Sequence, residues 1–165
     1  MNAARDLTVG EFLDALAARA PAPAAGACAA ITAAAAAALA AKAARFSPGE
    51  LGELAADADR LRAEVVPLAD EDGAAYGAVL AAVRLPRNHP DRPERLATAL
   101  AAATEIPLRI ARIGAAVATL AGRLEREGNR NLRGDAQAAT LLADGASQAA
   151  MALVHINREL GNSAP

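Results

Sequence analysis

Residues 20–45 read APAPAAGACAAITAAAAAALAAKAAR, and the interpretation of this stretch decides the fold. Between positions 20 and 41 no side chain carries a charge. Alanine has the strongest intrinsic helix preference, and a helix that is apolar all round must be covered all round. The length approaches the roughly 20 residues of a membrane span. However, Pro21 and Pro23 interrupt its first part, and alanine contributes little on insertion scales. The stretch therefore predicts a central buried helix over residues 26–45 and no membrane partner.

The rest of the composition fits such a centre. The chain has 165 residues, 54% hydrophobic and 22% charged, enough for one well-covered domain over residues 1–165. Fifty-one residues are alanine and only Phe12, Phe46 and Tyr76 are aromatic. Cohesion must come from many short contacts between closely spaced helices. The net charge of −2 gives no electrostatic footprint for nucleic acid. Cys28 is the one cysteine, which excludes an internal disulfide and suits a reducing compartment. Arg5, Asp6 and Glu11 near the start do not fit a secretory leader, so a cytoplasmic location is expected.

Working outward, Thr8 and Glu11 have capping-box spacing and open a short helix with Phe12, Leu13 and Leu16 on its apolar face. Pro21 stops it. Residues 21–26 then deliver free backbone N–H groups at the head of the central helix with almost no side chain above them. Such an end attracts anions or developing negative charge; a plain connector is the competing interpretation. Ser47 and Glu50 suggest a second capping box, starting a helix that continues to about position 84, kinked at Pro67. Its core stripe is Leu51, Leu54, Ala58, Leu61 and Val65. Residues 85–90 form a loop, and Asp91 caps a further long helix, kinked at Pro107, that runs to about position 127. Residues 128–134 form the last loop, and Asp135 begins the final helix, ending near position 161. The expected fold is all-α: a bundle of about five helices around the alanine-rich one.

Two polar clusters stand out. Asp70, Glu71 and Asp72 follow the Pro67 kink, and Asp72 shares a helix face with Tyr76, four residues on. Asp70 points to another side, lined by Gly73 and Gly77, where a carboxylate beside small residues in a helical bundle loses water and becomes suited to proton transfer; a solvated acidic turn with a surface tyrosine is the alternative. Gly128, Asn129, Arg130 and Asn131, followed by Asp135, form the other cluster. Their amides suit a heterocycle and the arginines Arg130 and Arg133 a carboxylate; a simple helix stop and start is the alternative. His89 and His155 show no metal-ligand spacing, so no metal site is expected. Cys28 reads as an inert core thiol, and Arg109, Arg112, Arg123 and Arg126 as a solvated face.

Six motifs occur in order: Pro21-Ala22-Pro23 at the head of the alanine helix; Asp70-x-Asp72-x-x-x-Tyr76; Leu85-Pro86-Arg87; Ala103-Thr104-x-Ile106-Pro107-Leu108; Gly128-Asn129-x-Asn131-x-x-x-Asp135-Ala136; and Ile156-Asn157. Together they resemble the cyclodeaminase/cyclohydrolase family, the formiminotetrahydrofolate cyclodeaminases and related methenyltetrahydrofolate cyclohydrolases, over roughly residues 11 to 160. The resemblance implies an all-α homodimer that acts on a tetrahydrofolate derivative as substrate, with no permanently bound cofactor. One branch closes N10 onto the formimino carbon and expels ammonia; the other adds water to the methenyl carbon. By motif position, Asp72 and Asp135 are the implied proton-transfer groups, assisted by Tyr76. Arg87, Asn129, Asn131, Gly26 and Asn157 are the implied substrate contacts. The sequence departs from the family's Pro-Gly-Gly-Gly-Ser turn, reading Pro23-Ala24-Ala25-Gly26-Ala27. The basic segment after the central helix is also shortened, and Leu153-Val154 replaces an Asn-Val pair. A relative of the same fold that binds a small molecule or only assembles is therefore the competing expectation.

Overall fold

The computed structural model describes residues 3–163. A 3-10 turn (Ala4–Asp6) precedes α1 (Val9–Ala17), and the Thr8 capping box forms as expected: the Thr8 hydroxyl accepts from the Glu11 N–H and the Glu11 carboxylate accepts from the Thr8 N–H. Only Phe12 of α1 is buried; Leu13, expected on the same face, is exposed. The alanine stretch forms α2 (Ala25–Arg45). By length and composition it passes for a membrane span, but most of it is buried inside the protein. It is the core.

Covering α2 are α3 (Glu50–Val65), α4 (Leu68–Val83), α5 (Arg92–Glu127) and α6 (Arg133–Ser163). The expected all-α bundle is present, with one more helix than counted from sequence. Pro67 does not merely kink a continuous helix: Val66 and Pro67 keep helical dihedrals, yet α3 ends and α4 begins there. Proline has no N–H to donate and its ring crowds the carbonyl four residues back. Pro107, in contrast, lies inside an unbroken α5.

Methyl-sized side chains allow the close approach of these elements. Ala27, Ala30, Ala33, Ala36, Ala37 and Ala40 of α2 are fully shielded from solvent. α5 and α6 run antiparallel, with Gly114 opposite Ala143 and Ser147; a Cβ at Gly114 would lie 3.0 Å from the Ala143 carbonyl oxygen. The Ser147 hydroxyl donates to the Ala111 carbonyl at 2.9 Å across the same seam. Larger side chains fill the ends, with Leu68, Val65 and Ile110 near the head of α2 and Leu124 near its foot.

Two expected caps are absent. Gly49, at φ +60°, precedes α3 with no side-chain cap. Ser47 instead donates to the Ala43 carbonyl at 2.9 Å and accepts from the Asn129 N–H at 3.0 Å. It thereby closes the foot of α2, where last-turn carbonyls lack helical partners. Asp91 likewise makes no capping bond to α5 and pairs with Arg95 at 3.5 Å.

Candidate functional site

The head of α2 and the first half of α4 meet at Gly26 and Asp72. The α4 turn lays the Asp72 carboxylate directly over the Gly26 Cα, so that a Cβ there would overlap the carboxylate oxygens. Gly26 itself is buried and Asp72 is half-buried. Burial pushes the Asp72 pKa above that of an ordinary aspartate, and the backbone N–H of Ala27 pulls it partly back. Ala24, the residue before α2, contributes no side-chain cap. The head of α2 is therefore a set of backbone donors beside a partly desolvated carboxyl group. Tyr76, one turn further along α4, is 42% exposed at the surface.

Asp70 has a different task. It accepts from the Ala4 N–H and lies 3.6 Å from the Arg5 guanidinium, fastening the N-terminal 3-10 turn to α4. Glu71 pairs with Arg109 of α5 at 2.9 Å. Of the three acids in this run, Asp72 alone makes no ion pair; its carboxylate takes its hydrogen bond from the Ala27 backbone N–H of α2. Beside it, Ala22, Pro23, Ala69, Asp70 and Gly73 line one side of a cavity of about 390 Å³ whose far wall comes from Leu7 and α1.

The second expected cluster lies at the other end of α2. Asp135, in the first turn of α6, pairs with Lys42 at 2.6 Å. Gly26 and Lys42 are sixteen positions apart, about 24 Å along a helix axis. Within one subunit the structure therefore does not bring Asp72 and Asp135 together. Asn129 is tied down as well: its Nδ2 donates to the Phe46 carbonyl at 2.8 Å and its Oδ1 accepts from the Asn131 N–H at 3.0 Å. Asn129 thus serves the foot of α2, and the exposed Asn131 sits beside it. Arg87 lies in the exposed loop after α4; Val83, which ends that helix, is eleven positions from Asp72, about 16 Å along the axis.

Asn157 also has a structural partner. Its Nδ2 donates to the Ala103 carbonyl at 2.7 Å. That carbonyl is the one left without a helical donor by Pro107, four residues on. The side chain of α6 thus supplies the missing bond, and α5 passes through its proline intact. The sequence signal was present as two separate motifs, but their pairing across helices was missed.

Fold and site together define an all-helical protein with a partly desolvated carboxylate placed against a glycine at the head of its central helix. The chain belongs to the formiminotransferase-cyclodeaminase family, a sequence model of which matches residues 8–161. It is similar to the methenyltetrahydrofolate cyclohydrolase of Methylorubrum extorquens, with 32% identity over 163 residues, 91% of this chain and 78% of that protein. Among solved structures it is similar to the crystal structure of formiminotetrahydrofolate cyclodeaminase from Thermotoga maritima. The TM-score is 0.86 at 26% identity, over 96% of this chain and 81% of that one.

Proposed function

We propose that this protein is an enzyme of folate one-carbon chemistry, acting on 5,10-methenyltetrahydrofolate as a cyclohydrolase or forming it as a cyclodeaminase. The observation that carries the reading is the Asp72 carboxyl group held against Gly26 at the head of α2. Kinship with a cyclohydrolase and a cyclodeaminase supports it from outside.

Both reactions pass through a carbon bonded to two nitrogens, and one carboxyl group serves both. In the hydrolytic direction, Asp72 as carboxylate takes a proton from the water that attacks the methenyl carbon. It returns that proton to N5 as the carbon–N5 bond breaks, and the new hydroxyl releases its own proton to water, leaving the neutral 10-formyl product. In the deaminating direction the formimino nitrogen enters protonated; the carboxylate takes the proton from N10 as N10 attacks the formimino carbon, then delivers it to the departing amino nitrogen, which leaves as ammonia, and the methenyl cation remains. A raised pKa suits a group that must both accept and give, because transfer is most effective when the pKa lies near the working pH. Tyr76 flanks the substrate in this reading, and Arg87, at the far end of α4, meets its glutamate carboxylates. No further cofactor enters the chemistry.

Absorbance of the methenyl chromophore, followed with purified protein and each substrate in turn, separates the two activities. Asp72→Asn lowers turnover by roughly 10²–10⁴-fold if the carboxyl group transfers the proton. Unchanged turnover removes Asp72 from the reaction.

The protein acts as a cytoplasmic homodimer in this reading. Leu141, Ile156 and Leu160 are 67%, 51% and 53% exposed on α6, an apolar surface that a second copy would cover. Sedimentation velocity tests the assembly. A second reading, a relative that binds without turnover, has its own observation: Ala24, Ala25 and Ala27 occupy positions where the family resemblance leads one to expect Gly, Gly and Ser. No turnover with either substrate, followed by gain of turnover on restoring those three residues, decides for it.

A further inference from the structure

A groove between the first half of α5 and the end of α6 is not used by the proposed reaction. It encloses about 580 Å³ between the first half of α5 and the last turns of α6. Its apolar floor includes Leu96 and Leu100, both nearly completely shielded, and Leu108. Two guanidinium groups from different helices, Arg92 and Arg158, line it. Among the described residues neither pairs with a carboxylate, and the Arg92 Nε is buried without a hydrogen-bond partner. Glu105, the one acid in the lining, lies 3.9 Å from Arg112. Among the described residues, the groove thus presents two cations without a carboxylate partner beside hydrocarbon. Asn157 stiffens its wall, since its bond to the Ala103 carbonyl ties the two helices together there.

We propose that this groove binds an organic acid, a carboxylate carried on an apolar or aromatic body, with Arg92 and Arg158 taking the carboxylate and the leucines the body. Guanidinium forks match carboxylates in geometry and charge, and a mostly apolar cleft with a few polar groups is the usual form of a small-molecule site. The shared chemistry has two sources: a separate organic acid, or the glutamate-bearing tail of the folate substrate, which would then reach this groove in place of Arg87, an alternative that rests on the proposed folate reaction. The groove stands on its own geometry, apart from the reaction at Asp72.

Titration calorimetry on the full chain with p-aminobenzoylglutamate tests it, with uncharged p-aminobenzamide as control. Wild type is expected to bind the acid and not the amide. Arg158→Gln and, independently, Arg92→Gln are expected to weaken binding roughly tenfold each, as for loss of a charge-assisted contact. Arg158 is exposed, so its variant does not endanger the fold. Absence of saturable binding to wild type, or equal affinity in both variants, overturns the proposal. With the binding loss in hand, a raised KM at unchanged kcat in Arg158→Gln identifies the substrate tail as occupant; an unchanged KM identifies a separate acid. Asp72→Asn retains binding of the probe, so failure of the proposed reaction and failure of the groove are read separately.

Discussion

The Asp72 carboxylate occupies the space that a side chain on Gly26 would need. Its position therefore depends on the absence of one methyl group on another helix. Gly26→Ala must push Asp72 or the first turn of α2 aside, and a displacement of about 1 Å at a reacting group can cost on the order of 10²-fold in rate. We expect kcat to fall by one to two orders of magnitude, roughly, with the helical far-ultraviolet signal intact. Gly73→Ala is the matched control on the facing helix. Its added Cβ would meet only the Ala22 methyl at 3.4 Å, and alanine is the better helix former. It should retain wild-type rate and gain slightly in thermal stability.

The titration of Asp72 gives a signed prediction for stability. Burial raises its pKa in the folded protein, so the folded state binds a proton that the unfolded chain has already released. Stability from this group is complete below the unfolded pKa and is lost as pH rises through the folded one. Asp72→Asn cannot ionise. The difference in melting temperature between variant and wild type should therefore grow in the variant's favour from acid pH upward, then level off above the pKa of the folded carboxyl group. Activity moves in the opposite sense. Because the carboxylate form starts the reaction, kcat/KM of wild type should rise with pH over that same interval, and the rising limb should vanish in Asp72→Asn.

What the sequence disclosed follows from which signals are local. The uncharged run before Lys42 defines a covered helix by composition alone, and Thr8 with Glu11 defines a start by spacing alone; both are present in the fold. Ser47 carried the same spacing signal, but its hydroxyl was claimed by Ala43 and Asn129. A capping box is only one of the partners open to a serine, and tertiary contact decides among them. Likewise, Asp72 and Asp135 were legible as acids in two separate polar clusters, Asp72 on the face of Tyr76 and Asp135 after the loop of residues 128–131. That α2 holds them at opposite ends is a property of antiparallel packing, which no spacing within either motif encodes. Gly26 was legible as part of the bare head of the central helix, whereas its facing carboxylate was not.

Pro107 and Asn157 form a compensating pair across α5 and α6. Removing the Asn157 amide leaves the Ala103 carbonyl with no donor, and an unsatisfied buried polar group costs about 1–3 kcal/mol. Pro107→Ala restores an N–H to α5 that can bond that carbonyl from within the helix. Asn157→Ala should therefore be clearly destabilising in wild type and much less so in the Pro107→Ala background, with a coupling energy of roughly 0.5–3 kcal/mol in chemical denaturation. Equal cost in the two backgrounds would mean that the 2.7 Å bond does not substitute for the helical one.

The separation of the two acids makes Asp135 the sharpest test of how the site is built. Its ion pair with Lys42 is partly solvated, and such pairs contribute at most about 1 kcal/mol. Asp135→Asn should change stability by no more than that. If a single subunit carries the proton transfer through Asp72, Asp135→Asn keeps kcat within roughly tenfold of wild type, while Asp72→Asn falls by roughly 10²-fold or more. Mixing inactive subunits discriminates further. A site confined to one subunit gives no recovery when Asp72→Asn and Asp135→Asn proteins are refolded together, beyond the activity each brings. Recovery from two variants that are each silent would require Asp72 of one copy and Asp135 of another to act on the same substrate, because the length of α2 forbids their meeting within one.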